Sequence, residues 1–440
     1  MSAGLKSEEQ SIAGVAASAE QRMFPAGQLV PALLVLALFF IWGMSNSLTD
    51  ILVQQFKKSF ELSPLEAQLV QTANFFGYFC MAIPAALLMQ RRGYKAGMLT
   101  GLLLFGAGTL MFWPAAVIGQ YLPFLCALFL VGCGAAVLET AANPFMAQFG
   151  SPENSERRLN QAQAFNPPGT IAGLLLGTFF IFSGVELSPT KVAAMKASGT
   201  YAAYLHTEIM RVVPVYVGLG LVVLLWAFFI FRTRFPVMLS EHEELAERGS
   251  FRELTRFPHL RWAVLAQFCY CGAQVCIWSA LIPYMKQYTM VTERTAGLFL
   301  TGNLIVLALG RVVSTWLMRW FNPARMMSLY AVVNIGLLGI AVTHPGMVGA
   351  VAILATNFFM SIMFPTIFAL GVKGLGHNTK LGGSLIVMSI VGSALLPPAL
   401  GYVVKVKGSF ALGYIVPLVA FGVVALYGYS AGQKREAAVL

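Results

Sequence analysis

Residues 132–169 read GCGAAVLETAANPFMAQFGSPENSERRLNQAQAFNPPG, and this stretch places several polar residues where the chain is otherwise apolar. Glu139 stands in an apolar run with no neighbouring charge, and Asn143 follows four residues later. After a short charged segment come Gln163 and Asn166, three residues apart. Residues three or four apart lie on one face of a helix. The stretch therefore predicts two consecutive helices, each with one polar stripe.

The composition of the whole chain is that of an integral membrane protein. The 440 residues are 58% hydrophobic and 11% charged, whereas a soluble domain carries about 25% charged residues. Apolar runs of roughly 20 residues recur, each long enough for a helix to cross a bilayer core. They lack the alternation of barrel strands. We expect an all-α membrane protein with twelve transmembrane helices, at about 30–56, 66–90, 96–117, 121–149, 161–183, 211–232, 261–288, 295–318, 326–343, 347–372, 380–404 and 409–431.

The basic residues predict the orientation of these helices. An even number of spans puts both termini on one side. Of the 29 Lys and Arg residues, 19 fall on the side of the termini, 9 on the other, and Arg311 lies inside a span. By the positive-inside rule both termini are cytoplasmic. The predicted organisation is a cytoplasmic tail (1–29), a six-helix half (30–232), a cytoplasmic linker (233–260), a second six-helix half (261–431) and a cytoplasmic tail (432–440).

The two halves resemble distant repeats of each other. Matched pairs stand at similar places in each half: Pro144 with Pro365, Arg158 with Lys380, and Gly169 with Gly392. Internal duplication with Gly- and Pro-interrupted helices is typical of secondary transporters, whose substrate site lies between the halves.

Three ionisable side chains fall well inside the predicted spans, namely Asp50, Glu139 and Arg311. A charge at the bilayer centre costs roughly 2.5–3.5 kcal/mol on insertion scales. A carboxyl group avoids that cost by taking a proton, and one that opens alternately to either side carries protons. The alternatives are a hydrogen bond to a neighbouring helix for Glu139 and a place near the outer surface for Asp50. For Arg311 we expect a gating or structural ion pair.

The amides in the central stretch are candidates for substrate binding. Gln163, Asn166 and Asn143 offer both donors and acceptors, as hydroxyl-rich ligands require. Helix–helix contacts are the alternative, because interhelical amide hydrogen bonds are common in membranes.

Other classes of function are disfavoured. The basic residues are dispersed over short loops, which argues against nucleic acid as a partner. The six cysteines lie in apolar runs, so we expect no disulfide framework, and the five histidines are scattered, so we expect no metal site. A membrane enzyme or receptor is the weakest hypothesis, because no nucleophile–base pair or phosphate loop is present. We expect no cofactor.

Several long motifs resemble the fucose permease family of the major facilitator superfamily. They are FFIWGMSNSLTDILVQQF, LETAANPF and RLNQAQAFNPPG in the first half, and AQFCYCGAQVCIWSALIPY and TKLGGSLIVMSIVGSALLPPALG in the second. The resemblance covers residues 35 to 430. It implies a major facilitator fold and a sugar–proton symporter of a bacterial inner membrane. Its partners would be a monosaccharide, the proton as coupling ion and the lipid bilayer, and we expect a monomer.

The resemblance also implies roles for individual residues. Asp50 and Glu139 match the family's acids associated with proton coupling, and Gln163 and Asn166 match its sugar-binding amides. Arg311 matches a family arginine to which no role is assigned. Pro167 and Pro168 depart from the family, which usually has small or apolar residues there.

The expected substrate is L-fucose. Another hexose (glucose, galactose, mannose or N-acetylglucosamine) and a passive facilitator of the same fold remain alternatives.

Overall fold

The computed structural model describes residues 28–62, 64–67, 69–183, 187–236, 249–289, 291 and 293–437. Nearly all of the predicted N-terminal tail, the middle of the predicted linker and residues 438–440 of the predicted C-terminal tail lie outside these ranges. The proposed boundaries 1–29, 233–260 and 432–440 therefore stay predictions.

The described residues form twelve long helical segments, as predicted. They are α1 (Leu29–Ser59), α2 and α3 (together Leu69–Ile118), α4 (Tyr121–Gln148), α5 (Pro152–Ile181), α6 (Tyr201–Arg232), α7 (Pro258–Tyr288), α8 (Glu293–Leu317), α9 (Pro323–Thr343), α10 (Met347–Val372), α11 (Gly376–Lys407) and α12 (Phe410–Gln433). Gly93, with φ 77° and ψ 172°, divides α2 (69–92) from α3 (94–118). A positive φ of this kind is readily adopted only by glycine.

The predicted repeat is visible in how the helices pack. In the first half α5 lies against α1, and in the second half α11 lies against α7. A Cβ atom at Gly169 would collide with the Phe40 carbonyl oxygen, and one at Gly392 would collide with the Phe268 carbonyl oxygen. Small residues permit such close backbone approach between membrane helices. Equivalent glycines therefore make equivalent contacts in the two halves.

Two predicted helix starts are wrong. The fifth helix begins at Pro152 and not at 161, and the sixth begins at Tyr201 and not at 211. A further helix, Pro189–Ala197, precedes α6 and was not predicted. Charged and polar residues in these segments led the hydropathy pattern to place the starts too late.

Because α6 starts earlier, it also contains an acid that the predicted spans left out. Glu208 lies within α6, and its side chain is 2% exposed. Lys58 Nζ approaches the Glu208 carboxylate at 3.1 Å and Arg211 Nε approaches it at 3.5 Å. Gln55 Nε2 donates to the Glu208 backbone oxygen at 2.8 Å. A buried charge that is paired and hydrogen-bonded in this way is tolerated.

A buried arginine joins α4 to α5. Arg158 is fully buried. Its guanidinium donates to the carbonyl oxygens of Met146 at 2.7 Å, Ala147 at 2.5 Å and Ser151 at 3.1 Å. The first two carbonyls lie at the C-terminal end of α4, where backbone acceptors lack intrahelical partners, and the third lies in the turn after it. Arg158 thereby fastens the two helices together at this end.

The two halves meet at the end of the bundle that carries the basic loops. The contacts there are Asn160 Nδ2 to Thr366 Oγ1 at 3.0 Å, Lys373 Nζ to Glu156 Oε1 at 3.3 Å, and Lys380 Nζ to the Met89 carbonyl at 2.9 Å. Asn160, Thr366, Glu156 and Lys380 are all buried. This end of the bundle is therefore closed.

The described end of the linker lies across the same closed end. The Glu253 carboxylate pairs with His377 Nε2 at 2.9 Å and accepts from Asn378 Nδ2 at 2.8 Å. The hydrogen bond from Asn378 has the largest effect on the Glu253 carboxyl, followed by that from His377. Together they hold its pKa below the usual value. Gln90 Nε2 of the first half donates to the Gly249 carbonyl at 3.3 Å. The linker thus touches both halves.

Candidate functional site

Glu139 lies in the middle of α4 and is 4% exposed. Its Oε1 accepts from Asn143 Nδ2 at 3.5 Å, one helical turn along. The Tyr78 hydroxyl lies beside the carboxyl. Glu139 Oε2 is buried and makes no hydrogen bond of good geometry to any described residue. A buried polar atom without a partner is unfavourable. A proton on the carboxyl, the O–H of Tyr78 or a ligand hydroxyl could each satisfy this oxygen.

Gln163 connects α5 to this carboxyl. Its Nε2 donates to Asn143 Oδ1 at 3.0 Å, and both residues are buried. The contacts thus form a continuous chain from Gln163 through Asn143 to Glu139. Both ends of the Asn143 amide are used within this chain. Asn143, which the sequence suggested for substrate binding, therefore lies between Gln163 and Glu139.

Asn166 lies just beyond a break in α5. The helix is interrupted at Ala164 and Phe165, and its second part starts at Asn166. Asn166 Nδ2 makes only a long contact, 3.4 Å, to the Phe39 carbonyl of α1, and the residue is partly exposed. Asn166 is thus close in sequence to Gln163 but is not part of the amide chain, and its amide has capacity for another partner.

Asp50 lies apart from the other acid. It is exposed, and its Oδ1 accepts from Gln71 Nε2 of α2 at 2.5 Å. Gln71 was not among the sequence candidates. The two predicted coupling acids therefore occupy different environments, since Asp50 is accessible and Glu139 is buried.

Arg311 joins the two halves, but not through the predicted ion pair. It is 5% exposed. Its Nε donates to the Ser361 carbonyl at 2.8 Å, and its Nη1 donates to the Gln163 carbonyl at 2.7 Å. No carboxylate contacts it among the residues that the structure describes. The described partners of Arg311 are thus backbone carbonyls in both halves.

Further polar contacts lie near these residues, and their pairing was not predicted. Trp42 Nε1 donates to the Tyr78 hydroxyl at 2.6 Å, and Trp278 Nε1 donates to Asn357 Oδ1 at 2.8 Å. An amide side chain inside an apolar run is the sequence pattern that could have indicated such groups. Three more amide side chains of this kind are fully buried in the second half. No described residue hydrogen-bonds the side chains of Gln267, Asn303 and Asn334.

The arrangement can exchange protons and hold hydroxyl groups. Carboxyls supply the first capacity, and amides with free donors and acceptors supply the second. Within the described part of the chain, no group of three or more potential metal ligands comes together.

Comparison with known proteins identifies the family. The Major Facilitator Superfamily profile matches residues 33–397. The L-fucose-proton symporter of Escherichia coli is 40% identical over 404 residues, which cover 91% of this chain and 92% of that protein. The chain belongs to the fucose permease family of the major facilitator superfamily.

Other members of the superfamily are also similar. A glucose/galactose transporter of Brucella abortus is 32% identical over 396 residues, covering 89% of this chain and 91% of the relative. The crystal structure of the E. coli fucose–proton symporter FucP has a TM-score of 0.85 and 39% identity, covering 91% of this chain and 98% of FucP. A structure of FucP in the outward conformation gives the same values. The fucose permease fold is thus present over nearly the whole chain.

Proposed function

We propose that this chain imports L-fucose together with protons by alternating access. Two L-fucose-proton symporters, at 40% and 33% identity, support the sugar and the coupling ion. The observation that carries the proposal is the buried chain from Gln163 through Asn143 to Glu139. It connects an amide suited to sugar hydroxyls with a carboxyl suited to protons. No cofactor is needed for such a cycle.

The proposed cycle uses both acids. Asp50, which is accessible, loads a proton from outside, and Glu139 holds one in the interior. Gln163 and Asn166 bind the sugar hydroxyls. The end that carries the basic loops is closed, and we place that end at the cytoplasmic face. The halves then rock about the site so that this end opens.

Two rival functions differ from this one in measurable ways. Relatives named glucose/galactose transporters, at 30–32% identity, favour another hexose. A passive facilitator would share the fold without coupling. Uptake of a panel of radiolabelled monosaccharides, with and without a protonophore, separates them. We expect L-fucose to be concentrated and the protonophore to abolish its accumulation. Preference for glucose or galactose would overturn the assignment of L-fucose as the substrate. Uptake that is insensitive to the protonophore would overturn the assignment of proton coupling.

We further propose that the protein is a monomer in a bacterial inner membrane, with both termini and the linker in the cytoplasm. The excess of Lys and Arg on that side supports the orientation.

Cysteine labelling tests this topology. Single cysteines placed by Leu245→Cys and Arg435→Cys, in a chain free of other cysteines, should react with a membrane-impermeant maleimide only after the cells are opened. A cysteine in the exposed helix Pro189–Ala197 between α5 and α6, placed by Thr190→Cys, is the control and should react in intact cells. Labelling of either of the first two from outside intact cells would reverse the assigned orientation.

A further inference from the structure

Arg311 contacts two backbone carbonyls that have lost their ordinary helical partners. In a helix the carbonyl of residue i accepts from the N–H of residue i+4. For Gln163 that residue is Pro167, and for Ser361 it is Pro365. Proline has no N–H, so neither carbonyl can accept a bond of this kind. Both acceptors of Arg311 are therefore left open by the sequence itself.

The helices break where these carbonyls are left open. The regular turns of α5 stop at Gln163 and resume at Asn166, and those of α10 stop at Met360 and resume at Met363. Arg311 of α8 lies between the two breaks.

The two hydrogen bonds of Arg311 have the geometry needed to stabilise a buried guanidinium. The distances of 2.8 Å from Nε to the Ser361 oxygen and 2.7 Å from Nη1 to the Gln163 oxygen are those of charge-assisted hydrogen bonds. Gln163 and Ser361 are 2% and 0% exposed. A buried guanidinium needs such partners. The carbonyls thus fix the position of the charge without an acid.

We propose that Pro167 makes the Gln163 carbonyl the docking point of Arg311, so that Arg311 clasps the two halves at the closed end. The Ser361 bond keeps Arg311 attached to its own half, through α10. The Gln163 bond crosses to the first half and must break when this end opens. Arg311 is thus a positioning residue for the transport cycle, and Pro167 determines its partner.

Arg311 binds the same residue, Gln163, that connects the proposed sugar and proton sites. The Gln163 side chain reaches Asn143, and its backbone oxygen holds Arg311. The same residue therefore takes part both in the amide chain and in the contact between the halves. This role rests on the proposed alternating-access function.

Maleimide labelling of a cysteine at the closed end tests the clasp without sugar or a proton gradient. Thr366→Cys, in a chain free of other cysteines, provides a reporter, because Thr366 is buried at the contact between the halves. We expect Arg311→Gln to raise its labelling rate about 10-fold or more, and Arg311→Lys to raise it less. Pro167→Ala supplies an N–H that competes for the Gln163 oxygen, and should raise the rate about 3- to 10-fold.

Pro168→Ala is the matched control. It makes the same chemical change one residue later and affects the Ala164 carbonyl, to which Arg311 does not donate. It should leave the rate near that of the reporter chain.

A double-mutant cycle decides the result. In the Arg311→Gln chain, Pro167→Ala should have no further effect. An equal effect of Pro167→Ala with and without Arg311, no effect at all, or an equal effect of Pro168→Ala would overturn the clasp. The milder Arg311→Lys chain gives the same comparison if Arg311→Gln does not fold. Because no uptake is measured, failure of this test is distinct from failure of the proposed symport.

Discussion

Glu139→Gln is expected to abolish accumulation of sugar against a gradient, while sugar binding persists. Glutamine keeps the shape of a protonated glutamate and can still accept from Asn143 Nδ2, which lies 3.5 Å from Glu139 Oε1. It cannot change its protonation. One proton moving inward across about 100 mV gains about 2.3 kcal/mol, and a pH difference of one unit adds about 1.4 kcal/mol. Together they support roughly 500-fold accumulation at one proton per sugar, all of which this variant should lose.

Uptake into vesicles under an imposed pH gradient, beside sugar exchange at equal pH, measures the effect. Asp50→Asn should also lose concentrative uptake, with exchange less affected, because Asp50 is accessible and lies apart from the amide chain. If both variants concentrate sugar as the unchanged protein does, neither acid is the coupling site and the assigned mechanism fails.

Gln163→Ala is expected to weaken sugar binding by about 3- to 100-fold. A hydrogen bond to an uncharged group contributes roughly 0.5–1.5 kcal/mol, and a partner left unsatisfied costs more. The same change removes the donor to Asn143 Oδ1. Transport by this variant should therefore also become less tightly coupled to protons.

Asn166→Ala separates the two effects. It should weaken binding to a similar extent and leave coupling intact, because Asn166 is outside the amide chain. Gln161→Ala, the loss of another glutamine from the same helix, is the control and should bind sugar normally. Equilibrium binding measured on purified protein, beside the ratio of protons to sugar taken up, gives both quantities. Unchanged binding by folded Gln163→Ala and Asn166→Ala would remove both residues from the site.

The helical architecture follows from the sequence, because apolar runs of bilayer length leave the backbone few alternatives to helices. The starts of α5 and α6 do not follow. Their early turns hold charges such as Glu156 and Glu208, which lower the mean hydropathy of these segments. In the structure Lys373 and Lys58 pair with these two carboxylates. Pairing depends on residues far away in the chain, which a local pattern cannot supply.

The candidate site was found in part for a similar reason. A lone carboxyl in an apolar run is visible in one sequence, and so are amides at helical spacing. That Gln163 reaches Asn143, and that Asp50 lies apart beside Gln71, depends on how α1, α2, α4 and α5 pack. Pro167 and Pro365 indicate in the sequence that the carbonyls four residues earlier lack their helical donors. The sequence does not indicate that Arg311 donates to them instead. An isolated arginine near the end of a helix instead suggested an acid as its partner.

Arg158 gives the first half a property that bears on substrate choice. By capping the end of α4 and holding the start of α5, it makes one stiff unit of the two helices that carry Glu139 and Gln163. Such a unit keeps the separation of the carboxyl and the amide in either orientation of the halves. Substitutions in the second half, such as those beside Trp278, can then alter the surroundings of the bound sugar without disturbing the coupling groups. When sugar specificity and proton coupling depend on different halves in this way, the same fold can change its sugar specificity and keep its proton coupling.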